Sequence, residues 1–379
     1  MEKVARRVLS GALLMVGAGA LLAACSSTNH PSASGTTSTT SHTKNTTTTQ
    51  ATPTTLPVPP TSGPLSVAAT VAVPIPANVQ ITATEAPNGA VFVSQESQDS
   101  SVTTVVWVLD PSGPAEVAEH VNGGVSALAA DPTNLYVVAD DSVIGYTRST
   151  GNQMGQWKLP PIDTANTSDA DLVSMVAANG QVLVMIAQGN LQDVYRINPN
   201  STAAPKMIAQ GTSAAIGPDG SVYYERADDH LVKIASTGVT TVGPTLADSP
   251  NGEGGGIAGV AAVAGGLVWI SEPAGQGLDT ELTPYDAATL QAMGKYSGSV
   301  TEQIVDTSAG PLVLVGPNGP GNCPQGASAT STSCVFRISP TAVLSDPTTV
   351  GVADQLLGPD PAVITATASG TDLVMDRLS

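Results

Sequence analysis

The sequence predicts an all-β fold, a seven-bladed β-propeller of four-stranded blades after a disordered Ser/Thr/Pro-rich stalk. Three observations carry that expectation. Strongly apolar short segments recur at Val91-Phe92-Val93, Leu135-Tyr136-Val137-Val138, Val182-Leu183-Val184-Met185, Val222-Tyr223-Tyr224, Leu267-Val268-Trp269-Ile270, Leu312-Val313-Leu314-Val315 and Leu373-Val374-Met375. With Phe92, Tyr136, Leu183, Tyr223, Val268, Val313 and Val374 as markers, the spacings are 44, 47, 40, 45, 45 and 61 residues. A turn precedes each of them, including Asn88-Gly89, Asn179-Gly180, Asp219-Gly220, Gly265-Gly266, Ala309-Gly310 and Ser369-Gly370. Such pairs supply the positive φ that tight hairpins demand. Finally, 38 Gly and 29 Pro punctuate the 379 residues, which argues against a helical bundle. A 41% apolar content is still enough for a sizeable core.

The chain opens with a basic end (Lys3, Arg6, Arg7) followed by an uncharged apolar run from Val8 to Ala24. That run is short for a membrane span, which needs roughly 20 apolar residues, and residues 1–24 have the layout of a secretory signal. The run ends in Leu22-Ala23-Ala24-Cys25, which resembles the lipobox of bacterial lipoproteins. In that family the leader is cut before the Cys, whose thiol carries diacylglycerol. The resemblance therefore implies lipidation at Cys25 and a bilayer-anchored protein on the extracytoplasmic side of the cell membrane. An ordinary signal with a chance Cys is the alternative, and either Sec or twin-arginine export fits the n-region. The remainder of residues 25–64 is Thr- and Ser-rich, with Pro57, Pro59, Pro60 and Pro64 near its end. It buries nothing to offset an ordering cost of roughly 1–2 kcal/mol per residue, so a solvated linker is expected, open to O-linked sugar.

Residues 65–379 hold the repeats. A third strand follows the apolar one in most units, as in Trp107-Val108-Leu109, Tyr195-Arg196-Ile197, Val232-Lys233-Ile234 and Phe336-Arg337-Ile338. A weaker fourth strand appears, for example Gln156-Trp157-Lys158-Leu159. Small-residue runs such as Val125 to Ala130 and Ile257 to Ala261 suit inner strands crowded at an axis. Four strands per 40 to 50 residues match propeller blades. In the seventh unit, residues 362–368 read as the inner strand and 372–377 as the second, with Leu65 to Pro74 completing the blade from the amino-terminal side. A pair of β-sandwiches is the competing fold.

The strand Gly266-Leu267-Val268-Trp269-Ile270-Ser271-Glu272 resembles a blade of NHL- or YVTN-like propellers, streptogramin-lyase-type enzymes among them. Those enzymes need a placed catalytic His that this sequence does not match. A quinoprotein-like propeller is a related resemblance, but the Trp and Gly docking repeat of quinoprotein dehydrogenases is missing. That counts against pyrroloquinoline quinone, and no cofactor is expected.

The net charge of −18 repels phosphate and excludes a nucleic-acid binder as first choice. Propeller topology puts the loops after second and fourth strands on one face. Asp140, Asp141, Asp228, Asp229, Glu96, Glu272 and Asp163 fall there, as solvated loops or as a field attracting cations or a basic partner. Convergence of Asp140, Asp141, Asp228 and Asp229 would make a metal site, for calcium above other divalent ions. His120 and His230 are placed in loops of the same face, where they and Glu272 are candidate ligands and the histidines candidate general bases. Cys323 and Cys334 frame a Ser-, Thr- and Gly-rich loop and are expected to form a disulfide in an oxidising compartment; a redox-active pair is the alternative.

There is no Gly-x-Ser-x-Gly, no His-Glu-x-x-His and no Cys-x-x-Cys. Two functional readings follow. The first is a monomeric, non-catalytic lipoprotein whose propeller binds a protein or glycan of the cell envelope. The second is a propeller-class hydrolase or lyase using loop carboxylates and His, with a divalent metal. Catalytic residues stay unassigned.

Overall fold

The computed structural model describes residues 65–379 apart from 74–80, 87–88, 97–102, 110–115, 123, 162–172, 189–190, 247–258, 274–279, 295, 299–302, 309, 316–332, 342–344, 346–347, 351–352, 359 and 367–372. The expected signal, Cys25 and the expected linker therefore lie outside the described residues.

The first strand, β1 (Val67–Val73), belongs to the last blade. Blade 1 comprises β2 (Ile81–Glu85), β3 (Val91–Glu96), β4 (Thr103–Leu109) and β5 (Glu116–Asn122), and blade 2 β6 (Val125–Ala130), β7 (Asn134–Ala139), β8 (Ser142–Thr147) and β9 (Gln153–Lys158). Blade 3 comprises β10 (Val173–Ala178), β11 (Gln181–Gln188), β12 (Leu191–Ile197) and β13 (Lys206–Gly211), and blade 4 β14 (Ser213–Ile216), β15 (Val222–Glu225), β16 (His230–Ile234) and β17 (Thr240–Thr245). Blade 5 holds β18 (Gly259–Ala264), β19 (Leu267–Pro273), β20 (Thr280–Asp286) and β21 (Tyr296–Gly298), and blade 6 β22 (Gln303–Val305), β23 (Leu312–Val315), β24 (Ser333–Arg337) and β25 (Thr348–Val350). Blade 7 runs β26 (Ala353–Leu357), β27 (Ala362–Ala366), β28 (Leu373–Leu378) and then β1. Every pairing is antiparallel, and the described residues contain no helix.

The seventh blade differs from the sequence reading. Ala362–Ala366 is its second strand and Leu373–Leu378 its third, while the inner strand is Ala353–Leu357. The marker Val374 therefore sat one strand too late, which explains the outlying spacing of 61. The amino-terminal strand does close the ring, as expected: β1 pairs with β28 from Val67↔Leu378 to Val73↔Leu373. Ser66 and Ser379 add a reciprocal pair of backbone hydrogen bonds, 2.9 Å each.

The ring explains the strand composition. Successive side chains of a strand point to opposite sheet faces, and in a blade both faces meet a neighbour. In β7, Leu135 and Val137 pack into the cluster between blades 1 and 2, whereas Tyr136 and Val138 pack into the one between blades 2 and 3. Second strands are therefore apolar throughout rather than alternating. Seven such clusters fill the seven gaps between blades, the last joining Leu357 and Ile364 to Ala83 and Val93.

Each meander has two turn edges. The turns from first to second and from third to fourth strand share the lower face; those from second to third strand, with the blade-to-blade crossings, share the upper. The lower-face turns behave as their sequences predict: Asn179-Gly180 and Gly265-Gly266 have positive φ at both positions (51° and 68°, 63° and 72°). At Asp131 the carboxylate instead accepts from the Thr133 and Asn134 amides, 2.7 Å each.

Candidate binding face

The upper face gathers the acids singled out in the sequence, held by short hairpins. Asp140-Asp141 joins β7 to β8 across the Ala139↔Ser142 pair, with Asp140 at φ 51°. Arg226 to Asp229 joins β15 to β16: the Asp229 amide donates to the Arg226 carbonyl at 2.8 Å, the Arg226 amide to the His230 carbonyl at 3.0 Å, and Asp229 takes φ 63°. This is a tight turn ending in a left-handed residue, a position Asp tolerates better than branched residues. Glu96 and Glu272 lie on β3 and β19 near the same edge.

One acid of each hairpin has a basic partner on its own blade. Asp228 accepts two hydrogen bonds from Arg226, Nε at 2.7 Å and Nη2 at 2.6 Å, and its Oδ1 lies 3.3 Å from His230 Nδ1. The fork of guanidinium hydrogen bonds pushes the Asp228 carboxyl down to about 2. Asp141 faces Lys158 of β9 at 3.3 Å, and that contact, with the Ser142 hydroxyl, lowers its pKa. Both pairs are solvent-exposed, so they fix orientation more than they stabilise.

The expected convergence does not occur. Among the described residues no three His, Cys, Asp or Glu are grouped to hold a metal ion, and Asp140, Asp141, Asp228 and Asp229 stay on their separate blades. The Asp141 and Asp228 carboxylates are turned to donors of their own blades, Lys158 and Arg226, instead of toward one another. Like charges converge only where a cation offsets their repulsion, and here Arg226 and Lys158 neutralise them singly. The histidines are not loop residues. His120 lies on β5, the outermost strand of blade 1, opposite Val105, and is exposed. His230 opens β16, with Nδ1 3.0 Å from the Asp228 carbonyl and Nε2 3.4 Å from Thr245 Oγ1. The two stand on blades 1 and 4, neither on an inner strand, so the structure does not bring them together. Cys334 is buried on β24, whereas Cys323 lies outside the described residues.

Sequence reasoning missed the polar groups beneath this face. Glu225, at the end of β15, is buried and accepts from Thr212 Oγ1 at 2.5 Å. Asp193 on β12 is buried and accepts from Gln210 Nε2 at 2.7 Å. Nothing local marks either as different from the exposed acids; only the strand register, which puts them inside a blade rather than in a turn, separates them.

No protein-family model and no curated protein matches this sequence. Solved structures do. The Cps50 β-propeller domain of Myceliophteria thermophila superposes with a TM-score of 0.52 at 10% identity, over 83% of this chain and 100% of that one. The kinship is one of fold alone. The periplasmic gluconolactonase of Pseudomonas aeruginosa gives 0.48 at 16% identity, over 79% of this chain and 88% of that one. The extracellular domain of a one-component system from B. thetaiotaomicron gives 0.48 at 12% identity over 82% of this chain, which spans 40% of the length of that one. Likeness at such identities shows the fold, and fold does not choose a function.

Proposed function

We propose that this protein is a lipoprotein anchored through Cys25 on the extracytoplasmic side of the cell membrane, whose propeller offers its acid-rich upper face to a protein or glycan partner and carries out no reaction there. The supporting observation is the local neutralisation of the hairpin acids. Asp228 and Asp141 are held by Arg226 and Lys158, and His120 and His230 stand on different strands of different blades. A general base needs hydrogen-bond reach to a shared reacting atom, and that arrangement supplies none between these groups. It does present paired and unpaired carboxylates on rigid turns, the format of a surface that docks a cationic partner. The reading includes a Cys323–Cys334 disulfide closing the long connection between β23 and β24.

Two measurements test it. Cys25→Ser should move the chain from the membrane fraction to the soluble fraction or leave an uncleaved precursor; a processed variant that stays membrane-bound would remove the anchor. Full-length protein immobilised in detergent should retain an envelope component that the Asp140→Asn, Asp141→Asn, Asp229→Asn variant does not. Equal retention by both would show that the upper face is not the docking surface.

A further inference from the structure

Exposed apolar side chains are distributed unevenly on this propeller. Among the described residues, Val67, Val117, Met154, Met207, Val239, Val242 and Met293 are large, apolar and 37% to 63% exposed. Val67 opens β1, Val117 and Met207 are the second residues of β5 and β13, Met154 is second in β9, and Val242 is third in β17. Met293 precedes β21, its amide bonded to the Pro284 carbonyl of β20. With Val239 directly before β17, all seven sit where an outermost strand begins, and outermost strands begin at the lower face. They form a discontinuous apolar rim around that face on blades 7, 1, 2, 3, 4 and 5. The other ends of the same strands carry polar residues: Lys158 on β9, Gln210 on β13 and Thr245 on β17.

Two further observations say what meets this rim. The chain enters the propeller there, because Leu65 and Ser66 lead directly into Val67, whose partner is Leu378 at the lower end of β28. The attachment point of the segment that carries Cys25 is therefore at the lower face. The charges are also divided. Six of the eight basic residues among those described (Arg148, Arg196, Lys206, Lys233, Arg337 and Arg377) lie at lower-face ends of third strands, just beyond them, or at the start of a fourth, where they offset lower-face acids such as Asp131, Asp219, Asp286 and Asp360; only Lys158 and Arg226 lie at the upper face, with the hairpin acids. Anionic headgroups therefore repel the upper face more strongly than the lower one.

We infer that the lower face rests on the bilayer to which the linker is tethered, with its Val and Met rim seated at the headgroup boundary and the acid-rich upper face turned outward. This rests on the proposed acylation of Cys25. Scattered aliphatic residues of a rim are too few to hold a protein on a membrane alone, but a tether that keeps them at the surface makes weak insertion count. The orientation also presents the proposed docking face away from the membrane.

Strand β9 provides an internal control, since Met154 and Lys158 stand at its two ends, about 13 Å apart at ~3.3 Å per residue. Full-length protein carrying Met154→Trp, Met207→Trp or Lys158→Trp is reconstituted into anionic vesicles containing lipid brominated on its acyl chains. Flotation of the wild type is scored first. The expected result is loss of emission from the tryptophans at 154 and 207 and none from that at 158. A wild-type chain that does not float removes the anchor and the inference with it. A chain that floats, with the three reporters quenched alike or with 158 quenched most, overturns the orientation and leaves the anchor standing. Matching thermal melts of the variants establish that the reporters sit on folded protein, and Met207→Trp, on a separate blade, decides the matter if Met154→Trp misfolds.

Discussion

Arg377, two residues from the end of the chain, lies against Glu85 of blade 1 with Nη1 2.5 Å from Oε1, and also donates to the Asp360 carbonyl at 2.7 Å and to the Gly89 carbonyl. The Glu85 side chain is wholly buried, and its second oxygen, Oε2, has no hydrogen-bond partner. Burial pushes its pKa up to about 7, and the nearby Asp360 adds to the effect, outweighing the Arg377 contact. Because the folded value lies above the ordinary carboxylate value of 4.5, this group favours folding most below that value and loses its contribution as pH rises through about 7. Glu85→Gln should therefore flatten the fall in Tm between pH 4.5 and 7, measured by calorimetry against wild type; identical slopes would remove this group from the pH response. Arg377→Met should cost about 1–3 kcal/mol at neutral pH, because Glu85 loses its partner and stays protonated while the Asp360 and Gly89 carbonyls lose their donor. None of this pairing was legible in the sequence. The two residues are 292 positions apart, and Arg377 has the same local setting as Arg196 and Arg337, third-strand bases in other blades.

Inner strands raise a problem at the scale of the element, since each is a sheet edge whose backbone groups must find partners. Side chains of neighbouring blades supply several. Gln355 of β26 both accepts from the Ala83 amide and donates to its carbonyl, 3.0 Å each, linking blades 7 and 1. Gln192 accepts from Ala214 at 2.6 Å, Ser213 from Val260 at 2.8 Å and Gln303 from Leu356 at 2.8 Å. Gln355→Ala should lower stability by about 1–3 kcal/mol in a urea titration with an unchanged m-value, as expected for two part-buried backbone groups left unpaired. Close approach is the second device. A Cβ on Gly358 would stand 2.0 Å from the Asp306 carbonyl oxygen, so Gly358→Ala should cost about 1–3 kcal/mol or more by overpacking against backbone that cannot yield. Strand positions were legible here because apolar runs and positive-φ turns are local signals. The lacing glutamines were not, since a Gln in a small-residue strand reads as solvated until the neighbouring blade is placed beside it.

For the whole molecule the decisive contact is the one between the first and last strands. β28 lies between β27 and β1, so deleting residues 373–379 leaves β1 without a partner and β27 with an open edge, and opens the ring between blades 7 and 1. The truncated chain should lose its cooperative melt, and an unchanged transition by circular dichroism would show that the closure is dispensable. The blade period made seven units visible in advance, and closure by the amino-terminal segment was visible too. The strand count of the last blade was not, because Leu356 and Leu357 of its inner strand sit in a stretch with no small-residue run to mark it. The acid-bearing edge was equally readable from topology, whereas the separate neutralisation of each hairpin needed coordinates. The shared strand also sets the order of events as the protein is made. β1 emerges ahead of every blade yet has no partner until residue 378 follows it, more than three hundred residues later, so its backbone donors and acceptors spend most of synthesis unclaimed. Blades 1 to 6 are each contiguous and can form as the chain lengthens, but the ring has a single seam and it is sealed last. Folding should therefore end in a slow, long-range step whose rate responds to the length of chain it must enclose, and in the interval the unclaimed β1 is the edge on which two growing copies would most readily exchange strands.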